Sequence, residues 1–166
     1  MKAIFLIVLL IVSAPTLSRE EEHDGFKHSL TEVTDFSADG RIAKRNGTPI
    51  LLLVSQDHCP YCDQIKREIL GPMLASGEYD HKIMIREVYI DLGAQVTDFS
   101  GERQAASSFM LSYRVYLTPT LLFLDGEGRE LTKRMVGIQT PELYPFYVDR
   151  AVDEAVTAFR KTGIRH

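Results

Sequence analysis

The stretch Ile50-Leu51-Leu52-Leu53-Val54-Ser55-Gln56-Asp57-His58-Cys59-Pro60-Tyr61-Cys62 decides how this chain is read. Five consecutive apolar residues of strand length fit a central β-strand covered on both faces. The polar tetrad 55–58 then leads into a Cys-x-x-Cys sequence. Helical spacing resumes through Ile65, Ile69 and Leu70, and Gly71-Pro72 is expected to interrupt it. With Cys59 opening that helix and Cys62 one turn on, the two sulfurs can come within bonding distance. The helix start offers free N–H groups and the positive end of the peptide dipole, which favour a thiolate over a thiol. Cys59 is therefore expected as the exposed nucleophile and Cys62 as the buried resolving thiol. Pro60 suits the first helical turn, where its missing N–H costs nothing.

The flanking sequence alternates helices and strands. A helix is expected over 36–45, ended by Asn46-Gly47 and Pro49. A second strand is expected at Ile83–Asp91, a long polar loop at Leu92–Arg103 and a helix over Gln104–Tyr113. Thr120–Leu124 is another apolar strand, Asp125-Gly126-Glu127-Gly128 a hairpin turn, and Glu130–Val136 its returning partner. A final helix runs from about Pro141 to Lys161, with Leu143, Phe146, Tyr147, Ala151, Val152, Ala155 and Phe159 among its apolar positions. The expectation is a single α/β domain over 36–162, with a central mixed sheet flanked by helices and a C-terminal hairpin and helix.

The N-terminus reads differently. Lys2, an unbroken apolar run from Ala3 to Val12 and then small residues have the form of a secretory signal peptide. The run is shorter than the roughly 20 residues of a bilayer span. Cleavage after Ser18 takes net charge from −4 to −5. Residues 19–35, which begin acidic, are expected as an N-terminal arm. The acidic balance, with Arg41, Lys44 and Arg45 confined to one short helix, sets nucleic acid aside. The chain is expected to be exported.

Two cysteines are too few, and too close together, to staple a small exported domain, because so short a loop removes little unfolded-state entropy. Chemistry or a metal remains. A structural zinc site needs four ligands, yet there is no second Cys pair, and His23, His28, His58, His81 and His166 lack paired spacing. Two readings stand for His58: a protonated neighbour that stabilises the Cys59 thiolate, or a loop residue without such a duty. Thr118-Pro119-Thr120 opens an apolar strand, a position where proline is tolerated.

Together these motifs resemble the thioredoxin superfamily. The resemblance runs from about Ile50 to Val156 and rests on Cys59-Pro60-Tyr61-Cys62 after a buried strand, Tyr113-Arg114-Val115 before Thr118-Pro119-Thr120, and Val136-Gly137 after the hairpin. Within it, Val96-Thr97-Asp98-Phe99 with Gly101 is similar to the SoxW-type periplasmic thioredoxin-related proteins. The resemblance implies a thioredoxin fold, thiol–disulfide oxidoreductase activity through a redox-active Cys59–Cys62 disulfide, and no bound cofactor. It also implies a cis Thr118–Pro119 bond whose loop lies against the cysteines and receives the partner's backbone. His58, Pro60, Tyr61, Thr118 and Pro119 are thus the expected supporting residues. Expected partners are protein disulfides as clients and a membrane electron-relay protein as reductant, in a bacterial periplasm.

The chain departs from thioredoxins proper. It has no Trp, His58 precedes Cys59, and Pro60-Tyr61 replaces Gly-Pro. Leu53 stands where thioredoxins bury the Asp that deprotonates the resolving Cys, leaving ordered water or His58 as candidate acceptors for Cys62. Pro-Tyr also occurs in glutaredoxins and periplasmic isomerases, so an isomerase or oxidant is the alternative within redox chemistry. A metal-binding module using the Cys pair is the alternative outside it. Known isomerases of this type carry a preceding dimerisation domain, which residues 19–35 are too few to supply. A monomer is expected. For the loop 92–103, a surface insertion and a part in partner choice are both open.

Overall fold

The computed structural model describes residues 30–163; the expected signal peptide and residues 19–29 of the arm lie outside them. The apolar run becomes β1 (Ile50–Ser55), and all six of its residues are buried. It pairs in parallel with β2 (Met84–Tyr89) and antiparallel with β5 (Thr120–Leu124). The four-stranded sheet has the order β2-β1-β5-β6, where β6 is Met135–Val136.

Both faces are covered, which is why β1 and β5 read as continuous apolar runs rather than alternating ones. Leu51 and Leu53 join Ile65, Ile69 and Leu70 from the helix after the cysteines and Val148 and Val152 from the last helix. Leu52 and Val54 point the other way, to Phe36, Phe109 and Met110. Those come from α1 (Phe36–Asn46) and α4 (Ala106–Ser112). Asp35 caps α1 by accepting the Ala38 N–H at 2.8 Å, and Gly47 ends it in the left-handed region at φ 69°.

Three sequence expectations are corrected. The helix α2 (Pro60–Ile65) is not stopped by Gly71-Pro72 but continues through a wide π-turn at Lys66–Leu70 into α3 (Gly71–Ser76). In that turn the Gly71 N–H reaches back to the Lys66 carbonyl, five residues away, and Pro72, which has no N–H to offer, sits in the first turn of α3. The region 92–103 is not simply a loop: β3 (Gln95–Thr97) and β4 (Arg103–Ala105) pair antiparallel within and just beyond it. The partner strand expected over 130–136 is only β6 plus a bridge between Leu124 and Glu130. The described part of the expected arm is docked on the sheet. The Val33 N–H donates to the Glu87 carbonyl at 2.8 Å and the Glu87 N–H to the Thr31 carbonyl at 3.0 Å, so residues 31–33 flank β2. A short 3₁₀ turn at Pro141–Leu143 leads into α5 (Tyr144–Gly163).

Candidate active site

The sheet register brings the two motifs together. Val54 lies opposite Thr120, so the segment leaving β1 and the segment entering β5 emerge from the same edge of the sheet. Ser55 leads to the cysteines, and Thr118-Pro119 leads into Thr120. The Thr118 hydroxyl donates to Gln56 Oε1 at 2.9 Å and ties one segment to the other. The Thr118–Pro119 peptide bond is cis. The Pro119 carbonyl accepts the Gly137 N–H at 2.8 Å, which anchors the start of β5 to the residue after β6. On the opposite side of the cysteine segment, Asp91, two residues after β2, accepts the Asp57 N–H at 2.8 Å.

Cys59 is the N-cap of α2 and Pro60 its first residue. The backbone at Cys59 is extended, at φ −105° and ψ 95°, and the Cys59 sulfur accepts the Cys62 N–H at 3.2 Å. The cysteines are joined by a disulfide with their Cα atoms 5.2 Å apart. Cys59 keeps 8% of its surface accessible and Cys62 none. The expected difference in exposure is present in order, but in this oxidised form Cys59 is largely covered rather than open.

The other expected residues surround the pair unequally. Tyr61 stands out into solvent, as do Tyr116 and Leu117 just before Thr118, at 63%, 71% and 64% exposure. His58 adopts a left-handed backbone at φ 51°, a conformation in which His is enriched among non-glycine residues. Its ring is almost wholly in water and lies 3.2 Å from the Asp57 carboxylate. Cys62, by contrast, is a fully buried residue of α2, so the solvent-exposed His58 ring is poorly placed to take its proton. Among the described residues no three His, Cys, Asp or Glu side chains gather as metal ligands, and no helix is long and apolar enough to cross a membrane.

One group that the sequence reading missed lies under α2. Glu87 on β2 is paired in parallel register with Leu53, so both side chains leave the same face of the sheet. Glu87 is only 3% exposed. Lys66, one turn after Cys62, places its ammonium 3.2 Å from Glu87 Oε1 and 3.1 Å from Asp63, and donates to the Tyr89 hydroxyl at 3.3 Å. Burial works against the Lys66 charge, but the Asp63 hydrogen bond and the Glu87 charge outweigh it and hold its pKa above the ordinary lysine value. The Tyr89 phenol is pushed up by burial and then by the Glu87 charge. The signal in the sequence was slight: a charged residue in a strand reads as solvent-facing unless its partner on another element is known.

With this geometry in hand, the comparisons are specific about class. Residues 36–150 match the family model described as a thioredoxin-like domain, and the chain belongs to that family. The structure of mitochondrial thioredoxin 3 from Saccharomyces cerevisiae in its oxidised form is 13% identical, with a TM-score of 0.51 over 75% of this chain and 94% of that one. A wild-type thioredoxin h from poplar is 23% identical, with a TM-score of 0.49 over 69% of this chain and 86% of that one. No curated protein matches the chain.

Proposed function

We propose that the protein is a thiol–disulfide oxidoreductase that reduces disulfides of exported proteins. The observation that carries the reading is the Cys59–Cys62 disulfide at the N-terminus of α2, beside a segment tied to it by Thr118 and Gln56. In the reduced form, the Cys59 thiolate attacks a client disulfide and one client sulfur leaves as a thiolate. Cys62 then attacks Cys59, the mixed disulfide breaks, and the second client sulfur leaves with the electron pair. The client is thereby reduced and the protein oxidised.

The exposed Tyr61, Tyr116 and Leu117 supply apolar surface near the cysteines for an unfolded or extended client segment. Among the described residues, neither the Thr118 N–H nor its carbonyl has a backbone partner, which leaves both for a client backbone laid beside it. The resemblance to SoxW-type proteins and the apolar N-terminal run support a periplasmic setting, where a membrane electron relay would restore the dithiol. The expected working form is a monomer.

The test is a trap. Cys62→Ser, expressed with its N-terminal segment, should accumulate mixed disulfides with exported proteins that disappear on reduction and in the Cys59→Ser/Cys62→Ser double variant. If Cys59 in Cys62→Ser alkylates readily yet captures nothing, dithiol exchange with protein clients is wrong.

A further inference from the structure

We propose that Glu87 is the proton acceptor for Cys62, held under the helix by Lys66; the assignment rests on the exchange reaction proposed above. The resolving step needs Cys62 as a thiolate, and Cys62 is fully buried. Water reaches it poorly, and the His58 ring lies out in solvent. Leu53, on the strand beneath, offers no acceptor. Glu87 is the carboxylate in register with Leu53, on the same face of the sheet and one strand away. Its side chain is 5% exposed.

The link from Glu87 to Cys62 runs through α2. The Lys66 N–H donates to the Cys62 carbonyl, so Cys62 and Lys66 are one α-turn apart on one side of the helix. The Lys66 ammonium reaches Glu87 Oε1 at 3.2 Å, yet that oxygen has no aligned hydrogen-bond donor. A carboxylate oxygen carries two lone pairs, so Oε1 can take a further donor beside the Lys66 ammonium. The groups facing it are Lys66 and, behind it, Asp63 from α2 and the turn that follows, Tyr89 on the same strand, and Glu32 across the bridge to the arm. The neighbouring β1 residue is apolar.

In the resolving step the Cys62 thiol gives its proton to the Glu87 carboxylate, which becomes a carboxylic acid. The Cys62 sulfur forms its bond to Cys59, the bond from Cys59 to the client sulfur breaks, and that sulfur leaves as a thiolate. The proton on Glu87 then passes to solvent.

The reduced protein reacted with the chromogenic disulfide DTNB separates the steps. Attack by Cys59 releases one coloured thiolate, and resolution by Cys62 releases a second. In Glu87→Gln the second release should slow at least about tenfold relative to the first at pH 7, a floor under the ~10²–10⁴-fold contributed by a placed general base. The lag should close as the pH rises towards the ordinary thiol range near about 8.5. Glu87→Asp should recover part of the ratio. An unchanged ratio and pH profile in folded Glu87→Gln would overturn the assignment. Should Glu87→Gln not fold, Glu87→Asp decides: a ratio and profile like wild type overturn it, and an intermediate ratio sustains it. Absence of the first release from the wild-type protein would instead overturn the exchange reading.

Discussion

At Cys59 the chain turns from extended to helical within one residue, and this places a sulfur at the end of a helix where N–H groups lack partners. The Cys62 N–H already points at that sulfur at 3.2 Å, so a negative charge on Cys59 would meet a donor in place. Cys59→Ser should therefore abolish turnover, while Cys62→Ser keeps the first attack and loses the second; the coloured-thiolate release described above reads both. Lys66 bears on stability as well as on chemistry. Lys66→Met leaves Glu87 buried with no ammonium beside it, and removing one member of such a pair costs about 3 kcal/mol. Urea unfolding of the variant at neutral pH should show a loss of that order. A loss under about 0.5 kcal/mol, the range of an exposed pair, would mean that Glu87 is not confined as described.

At the scale of elements, the β3–β4 hairpin depends on one carboxylate. Asp98 Oδ1 accepts the Ser100 N–H at 2.8 Å, the Ser100 hydroxyl at 2.7 Å and the Glu102 N–H at 3.0 Å, while Oδ2 accepts the Gln104 amide at 2.8 Å. The Ser100 hydroxyl, followed by the backbone donors, holds its pKa below the usual aspartate value despite burial. A carboxylate with a lowered folded-state pKa contributes stability above the unfolded value of about 3.9 and loses it as the pH falls through the folded one. Asp98→Ala should thus cost about 1–3 kcal/mol at pH 7, with the gap to wild type narrowing below about pH 4. Chemical denaturation at two pH values measures it, and a gap independent of pH would contradict the role of the charge.

The same hairpin shows where the sequence becomes hard to read. β1 and β5 are legible because burial on both faces demands unbroken apolar runs, whereas β3 and β4 have three residues each, and Asp98 rather than hydrophobic pattern closes the turn between them. Gly71-Pro72 reads as a helix stop, since local rules do not foresee a π-turn that leaves proline at a new first turn. The cysteines were legible as a motif from their local residues, whereas Thr118-Pro119 read locally as no more than a strand start and drew its meaning from the resemblance. Glu87 was not, because its meaning comes from Lys66 on another element.

Across the whole molecule, the antiparallel register of β1 and β5 does the work of assembly. It sets the segment before Cys59 beside the segment after Leu117, with the Gln56–Thr118 hydrogen bond across them. Two apolar clusters, one on each face of the sheet, hold that register. Leu52 is fully buried in the cluster of α1 and α4, on the face of the sheet opposite the covering helix of the cysteines. Leu52→Ala should cost about 2–5 kcal/mol in thermal or urea unfolding while leaving the ratio of the two thiolate releases intact in the folded fraction. A changed ratio would show that the two faces are coupled.

The central claim is that the Cys59–Cys62 pair delivers electrons to clients. Its most direct test is the equilibrium reduction potential of the protein, lacking residues 1–18, titrated against defined thiol buffers. The account predicts a value near that of thioredoxin, about −270 mV. A value between about −180 and −120 mV, the range of isomerases and strong oxidants, would contradict it.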